Sequence, residues 1–321
     1  MLTSLLLTKN NASTLPKTLE SLLPLGKILV GDRASTDNTV QVARHYGAKV
    51  VAVPPDDLSQ GRNMLIDCSE TEWVLAVEPW EVVINGLAVP EEPKPYSFQV
   101  VNNHVVTKET RLWHRSLGLH YENPVYESLA EHIPPTLIEK TLIFVTPHAD
   151  NTEEKKKLLE EWCSRCPTLA VPHYYRAFLH LEQKEYRQFF AESNQFLFQG
   201  GDGIPAAMLQ YYQAMTSLYV YKDGRKAQQA LLPCLAAHPL MAEFWCLLGD
   251  IDYQQHRYPK AASFYENAIL LGQRRLKSDP WPMDLTKYKK YPRLMIDNCQ
   301  RMAAESRLLL SKRDPTRSPP P

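Results

Sequence analysis

The chain has no net charge: 36 lysines and arginines balance 36 aspartates and glutamates across 321 residues. No long-range field draws it to nucleic acid or to an anionic membrane, so nucleic acid is not an expected partner. It also lacks an apolar run approaching the ~20 residues that span a bilayer. The opening stretch Met1–Leu7 has no basic n-region and breaks at once into Lys9, Asn10 and Asn11. It reads as a buried strand and not as a secretion signal. The expected location is cytoplasmic, with peripheral attachment at a membrane left open. Of the scattered cysteines only Cys163-Ser164-Arg165-Cys166 has a suggestive spacing. A zinc site wants a second ligand pair and a redox pair wants a preceding strand, and neither is there, so these are two thiols near a helix end. Both G-x-G-x-x-G and G-x-x-x-x-G-K-S/T are missing, which excludes the usual dinucleotide and P-loop signatures.

What is present is a 44% hydrophobic composition, enough for a globular fold, at a length that suggests about two domains. The composition changes near residue 150. Before it, the strand-length apolar segments Leu2–Leu7, Lys27–Val30, Lys49–Val53, Trp73–Val77 and Ser97–Val101 occur. Helical patterns at Leu15–Leu23 and Thr39–Tyr46 separate the first three. That alternation marks βαβ units and a mostly parallel sheet. Ser13 or Thr14 is placed to cap the first helix, and Asp37 the second. The proline-rich stretch 90–95 reads as a loop, and Tyr96–Val106 and Glu109–His114 alternate like antiparallel strands.

After residue 150 the chain reads as helical, beginning with a charged amphipathic helix at Glu153–Cys163. Then comes a repeat. Its last copy runs Trp245, Leu248-Gly249, Tyr253, then Ala261, Tyr265, Ala268 at helix–turn–helix spacing. An earlier copy at Tyr174–Leu197 lies 72 residues before it, with Ala177 in place of Gly249, and a degenerate copy at Tyr211–Ala236 fills the gap. The pattern resembles the tetratricopeptide repeat, whose small residues let two helices cross closely. About three such repeats make a stable stack. The expected layout is a domain at 1–150, repeats at 151–275, a helical extension at 276–310 and a disordered basic tail at 311–321.

The segment Ile28–Thr39 carries the most chemistry. An apolar strand ends in Asp32, a small polar turn follows, and a helix starts near Asp37. Ligands of open α/β sheets bind at the C-terminal ends of strands, so Asp32 stands where an acceptor for a ribose hydroxyl or a base N–H belongs. The plainer reading is that Asp32 caps its own turn.

Asp32-Arg33-Ala34-Ser35-Thr36-Asp37 resembles the "DxGSTDxT" element of family-2 glycosyltransferases of the GT-A fold. Other blocks follow in that family's order. Thr8-Lys9-Asn10-Asn11 is similar to its "KNE" block, and Leu58-Ser59-Gln60-Gly61-Arg62-Asn63 to "F..ARN". Trp73-Val74-Leu75-Ala76-Val77-Glu78-Pro79-Trp80-Glu81 stands where the family has "W.L.LDADE". Arg111-Leu112-Trp113-His114-Arg115, Gly118–Glu122 and Tyr126-Glu127 resemble an end block of a subgroup related to lipopolysaccharide-core glucosyltransferases, which often carries tetratricopeptide repeats. The resemblance implies an α/β GT-A domain, Rossmann-like and mostly parallel, followed by an all-α tetratricopeptide-repeat domain.

The resemblance also implies roles. Thr8, Asn10, Asp32 and Arg62 would bind the nucleotide sugar, with Asp37 bracing the loop. Glu127 would be the catalytic base that takes the acceptor's proton in an inverting transfer. Glu78 and Glu81 would hold Mn²⁺ or Mg²⁺ on the donor's diphosphate. Here the sequence departs from the family: the D-x-D triplet is Glu78-Pro79-Trp80, and Trp80 cannot ligate a metal. Weak metal binding through Glu78, a metal-free site and a dead site all remain open, as do packing or sugar-stacking roles for Trp80. Arg115, His120 and His148 are lesser polar candidates. Two functions follow. One is an inverting glycosyltransferase moving a sugar from a nucleotide-diphosphate donor to a glycan, lipid-linked or protein acceptor. The other is an inactive glycosyltransferase-like scaffold whose repeats hold a protein partner.

Overall fold

A computed structural model describes residues 1–148, 152–275, 279 and 281–313, the last five without their side chains. The chain divides into two compact units, the first taking Met1–Pro167 and the second beginning at Thr168.

The first unit begins with β1 (Leu2–Thr8), α1 (Leu15–Leu22), β2 (Lys27–Asp32), α2 (Thr39–His45), β3 (Lys49–Ala52), α3 (Leu58–Cys68) and β4 (Trp73–Ala76). There follow β5 (Glu81–Ile84), β6 (Tyr96–Asn102), β7 (Val105–His114), the short pair β8 (Tyr121–Glu122) and β9 (Ser128–Leu129), and β10 (Thr136–Val145). The main sheet has the order β3-β2-β1-β4-β7-β6-β10-β5. β1, β2, β3 and β4 pair in parallel, whereas β7 joins β4 antiparallel. All seven residues of β1 are buried, as a central strand covered on both faces requires. On one face lie Leu15, Leu19 and Leu22 of α1, and on the other Leu65 of α3.

This layout matters for the site. The parallel strands end together, with Thr8 level with Asp32 and Asp32 level with Ala52. Leu75 of β4 pairs with Leu112 of β7, which sets Arg111 beside the end of β4. Neither expected helix cap forms as anticipated: Thr14 makes no side-chain cap bond, and the N-cap of α2 is Asn38. Asp37 instead ties two loops, accepting from the backbone N–H of Thr39 at 2.9 Å and of Ala12 at 3.1 Å.

The expected boundary at residue 150 shifts. α4 (Thr152–Arg165) belongs to the first unit, because the Glu154 carboxylate is held by Lys9 and Arg33 there. A composition change cannot reveal an ion pair between residues so distant in sequence.

The second unit contains α5 (Ala170–Glu182), α6 (Tyr186–Phe198), α7 (Gly203–Tyr219), α8 (Gly224–Ala237), α9 (Ala242–Gln254), α10 (Tyr258–Gly272) and α11 (Lys290–Arg313). Lys184, Lys222 and His256 adopt positive φ in the turns that close the three helix pairs. The recurrence of one strained turn marks the repeat in the backbone itself. α11 continues through 311–313, where a disordered tail was expected, and 314–321 lie outside the described residues, as do 276–278 of the expected extension. Asp250, buried on α9, accepts from the hydroxyls of Tyr219, Tyr265 and Tyr291 at 2.5, 2.6 and 2.5 Å. A buried carboxylate needs such partners, and these bind α7, α10 and α11 to α9. None of the six cysteines is in a disulfide. Among the described residues no helix is long and apolar enough to cross a membrane.

Helix crossing in the last repeat depends on Gly249, where an added Cβ would lie 2.6 Å from the ring of Tyr265. That ring is fully buried and hydrogen-bonded to Asp250, so it has no room to yield. Gly249→Ala is expected to cost about 1–3 kcal/mol through overpacking, outweighing the ~1 kcal/mol helix-propensity gain. A urea melt of the full chain measures this, and an unchanged midpoint would refute the close-crossing account.

Candidate active site: a buried arginine–glutamate cluster under a small cleft

Arg62 lies on α3, which is capped by Asp57, whose side chain accepts from the Gln60 N–H at 2.9 Å. This cap fixes the first turn of the helix and so the place of Arg62 one turn later. The Arg62 side chain is only 9% exposed. Its Nη2 donates to Glu78 Oε1 at 2.5 Å and its Nε to Glu127 Oε1 at 2.5 Å. Its guanidinium also sits 5.2 Å from the ring centroid of Tyr121, a cation–π distance. Glu78 follows the end of β4, and Glu127 lies between β8 and β9. One guanidinium thus gathers the end of a strand, a helix and a loop.

A second arginine extends the cluster. Arg111 of β7 lies with Nη1 3.4 Å from Glu78 Oε1, and its Nη2 donates to Glu81 Oε1 at 2.8 Å and Glu109 Oε2 at 2.7 Å. Glu81 Oε2 accepts the backbone N–H of Glu78 at 2.8 Å. Arg111 Nε is buried without a hydrogen-bond partner.

The electrostatics follow from burial and these pairs. Burial alone would raise Glu78, but Arg62 and Arg111 outweigh it and hold the carboxyl below its ordinary value. Burial pushes Glu81 up to about 7; Arg111 opposes this, while the charges of Glu78 and Glu109 add to it. Tyr121, buried, is pushed up to about 12. For Arg62 burial works downward, yet the charges of Glu78 and Glu127 carry its pKa well above its ordinary value.

Of the residues expected to bind the nucleotide sugar, Arg62 lines a cleft and Thr8, Asn10 and Asp32 do not. The cleft is about 80 Å³ and is lined on the sheet side by Lys9, Arg33, Arg62, Glu78 and Trp80, among others. Thr8 is 1% exposed and its hydroxyl donates to Gly31 O of the neighbouring strand. The Asn10 side-chain carbonyl accepts from Thr36 N at 2.8 Å, which ties two loops together. Asp32 accepts from Ser35 N at 3.2 Å and caps its own turn. All three make hydrogen bonds to their own or a neighbouring strand or loop.

Glu78 and Glu81 are the expected metal ligands, and the structure pairs both with arginine. Glu78 and Glu81 face guanidinium groups, whose positive charge stands where a cation's would. Among the described residues no group of three or more His, Cys, Asp or Glu side chains is arranged to hold a metal ion. Trp80 lines the cleft and stacks on His148, with ring centroids 4.2 Å apart and planes 6° from parallel. Arg115 is spent on Ser69 O at 2.5 Å, and His120 is half exposed beside Glu122. The sequence reading missed Arg111 as a site residue; its place on a strand antiparallel to the Glu78 strand is what brings it in.

The fold is a mostly parallel sheet domain followed by an array of helix pairs. Residues 5–77 match the family model for glycosyl transferase family 2. That match spans β1 to β4, includes Asp32 and Arg62, and stops one residue short of Glu78. No curated protein matches the chain. Among solved structures, glucosyl-3-phosphoglycerate synthase from Mycobacterium tuberculosis, in a complex with Mn²⁺ and UDP, is 14% identical. That likeness covers 52% of this chain and 80% of the other, with a TM-score of 0.36. A MamA fragment from Desulfovibrio magneticus RS-1 is 18% identical over 51% of this chain and 88% of its own, TM-score 0.37. Yeast Tom70 is 13% identical over 51% of this chain and 33% of its own, TM-score 0.38.

Glu81 provides a pH test. Its folded pKa of about 7 exceeds the ordinary 4.5, so the folded state holds the proton more tightly. The stability this gives is fully present below pH 4.5 and is lost as pH rises through about 7. The size is on the order of 3 kcal/mol. Glu81→Gln keeps the neutral form at every pH, so its urea midpoint should decline less than the parent's over that window. Parallel pH profiles for the two proteins would contradict the assignment.

Proposed function

We propose that the first unit is a metal-independent glycosyltransferase that uses a nucleotide-diphosphate sugar. The observation that carries the reading is the meeting of Arg62, Glu78 and Glu127 in one buried cluster beside the C-terminal ends of the parallel strands. Ligand chemistry in open α/β sheets takes place at that edge. A buried arginine is a fitting partner for a diphosphate, being always charged and forked.

In this reading the donor's diphosphate takes hydrogen bonds from Arg62, which loosens its hold on Glu127. The acceptor oxygen then attacks the anomeric carbon from the face opposite the leaving group. The glycosidic C–O bond to the diphosphate breaks, the nucleoside diphosphate departs with the bonding electrons, and Glu127 takes the acceptor's proton. The product has inverted configuration. Glu78 keeps Arg62 in place while this happens. The acceptor is a glycan, a lipid-linked saccharide or a protein side chain, and the helical unit is the surface suited to a protein partner.

A second reading has an observation of its own. Every carboxylate of the cluster is already paired with arginine, and the cleft of about 80 Å³ is far below the ~300–1,000 Å³ of an open small-molecule site. A scaffold that never binds donor would look the same, with the repeats holding a protein partner.

Glu127→Gln separates the two. It preserves the shape and a hydrogen-bond acceptor for Arg62 but cannot take a proton. Release of nucleoside diphosphate from the sugar donor is expected to fall about 10²–10⁴-fold, with donor affinity near the parent's. An unchanged rate would remove Glu127 as the base, and no release from the parent with any donor would favour the scaffold.

A further inference from the structure

β1 and β2 end level with each other, and the next residue of each is cationic: Lys9 and Arg33. Both reach one oxygen, Glu154 Oε1 of α4, with Lys9 Nζ at 2.6 Å and Arg33 Nη2 at 2.8 Å. Arg33 is 7% exposed. Its Nη2 also donates to Pro55 O, and its Nε is buried with no hydrogen-bond partner. A guanidinium removed from water ordinarily has its donors satisfied, so an orphaned Nε points to an acceptor that Glu154 does not supply. A phosphoryl group has the oxygens to serve Lys9 Nζ, Arg33 Nη2 and Arg33 Nε together, and planar arginine forks suit it.

Glu154 does not act alone. Lys155 and Leu158 line the same cleft as Lys9, Arg33 and Arg62, so the first turns of α4 form one wall of it. Lys155 Nζ also lies 5.7 Å from the ring centroid of Tyr126, the neighbour of Glu127. The helix that narrows the cleft is therefore fastened to its floor through a carboxylate seated on two cations.

We propose that Lys9 and Arg33 form a binding pair for a phosphate-bearing ligand, with Glu154 as the built-in competitor whose displacement opens the cleft. Identifying that ligand as a nucleoside diphosphate rests on the glycosyltransferase reading above; the anion pair does not. In this state the site is self-inhibited. Its apparent affinity is reduced by the fraction of molecules in which Glu154 has left.

The test titrates the full chain, Glu154→Gln and Arg33→Gln with UDP, GDP, dTDP and inorganic pyrophosphate by calorimetry. Hydrogen exchange of α4 is followed in parallel, and thermal melts verify that both variants fold. Glu154→Gln should bind pyrophosphate and one nucleotide about tenfold tighter than the parent or better. Arg33→Gln should lose that binding, and ligand should speed exchange in the first turn of α4 in the parent. A nucleotide bound equally by parent and Glu154→Gln, with α4 exchange unchanged, would overturn the pair and leave the donor reading standing. Pyrophosphate bound by Glu154→Gln with no nucleotide bound would uphold the pair and sink the donor reading. Binding of no anion by any of the proteins would overturn the pair.

Discussion

Arg62 has almost none of its side chain in water, and its charge is balanced by Glu78 at Nη2 and Glu127 at Nε. Taking such ions out of water costs several kcal/mol each, and only close, well-formed pairs offset it. The consequence is structural before it is chemical. α3, the end of β4 and the β8–β9 loop are fixed relative to one another because none of the three charges tolerates losing its partner. Removing one member would cost about 3–5 kcal/mol, most of it for the charge left behind.

The same balance explains the second arginine. Three enclosed carboxylates, Glu78, Glu81 and Glu127, meet two arginines, Arg62 and Arg111, in this cluster, an excess of carboxylate that burial would punish. The excess is relieved at Glu81, the most enclosed of the ion-paired glutamates here, whose raised pKa lets it hold a proton. A divalent cation would relieve it as well; here Arg62 and Arg111 both converge on Glu78 Oε1. Trp80, in the triplet position where an aspartate would have added a ligand, is committed to stacking on His148. The paired arginines, the raised pKa of Glu81 and the aromatic wall of Trp80 thus make one arrangement.

Much of this was legible in the sequence. Alternating apolar segments exposed the parallel half of the sheet, because period and length are local properties. Gly249 and Ala177, recurring at one offset, exposed the helix crossings for the same reason. Arg62, Glu78 and Glu127 could be named through family blocks, and the fold does bring them together. What was hidden is whatever depends on partners far along the chain. Thr8, Asn10 and Asp32 sit in the right blocks, and each also bonds to a neighbouring loop or strand, which no block pattern shows. Arg111 enters the site only because β7 pairs antiparallel with β4. Glu154, in a stretch that reads as the start of the helical repeats, crosses to Lys9 and Arg33 and carries its helix into the first unit. No local pattern encodes such a pairing.

The central claim is that arginines, and not a metal ion, provide the positive charge of the donor site. The direct measurement is calorimetric titration of the full chain with UDP-, GDP- and dTDP-sugars, once in Mn²⁺ and once in EDTA. The account predicts that one donor binds with the same affinity in both. Binding that requires Mn²⁺ and vanishes in EDTA would contradict it.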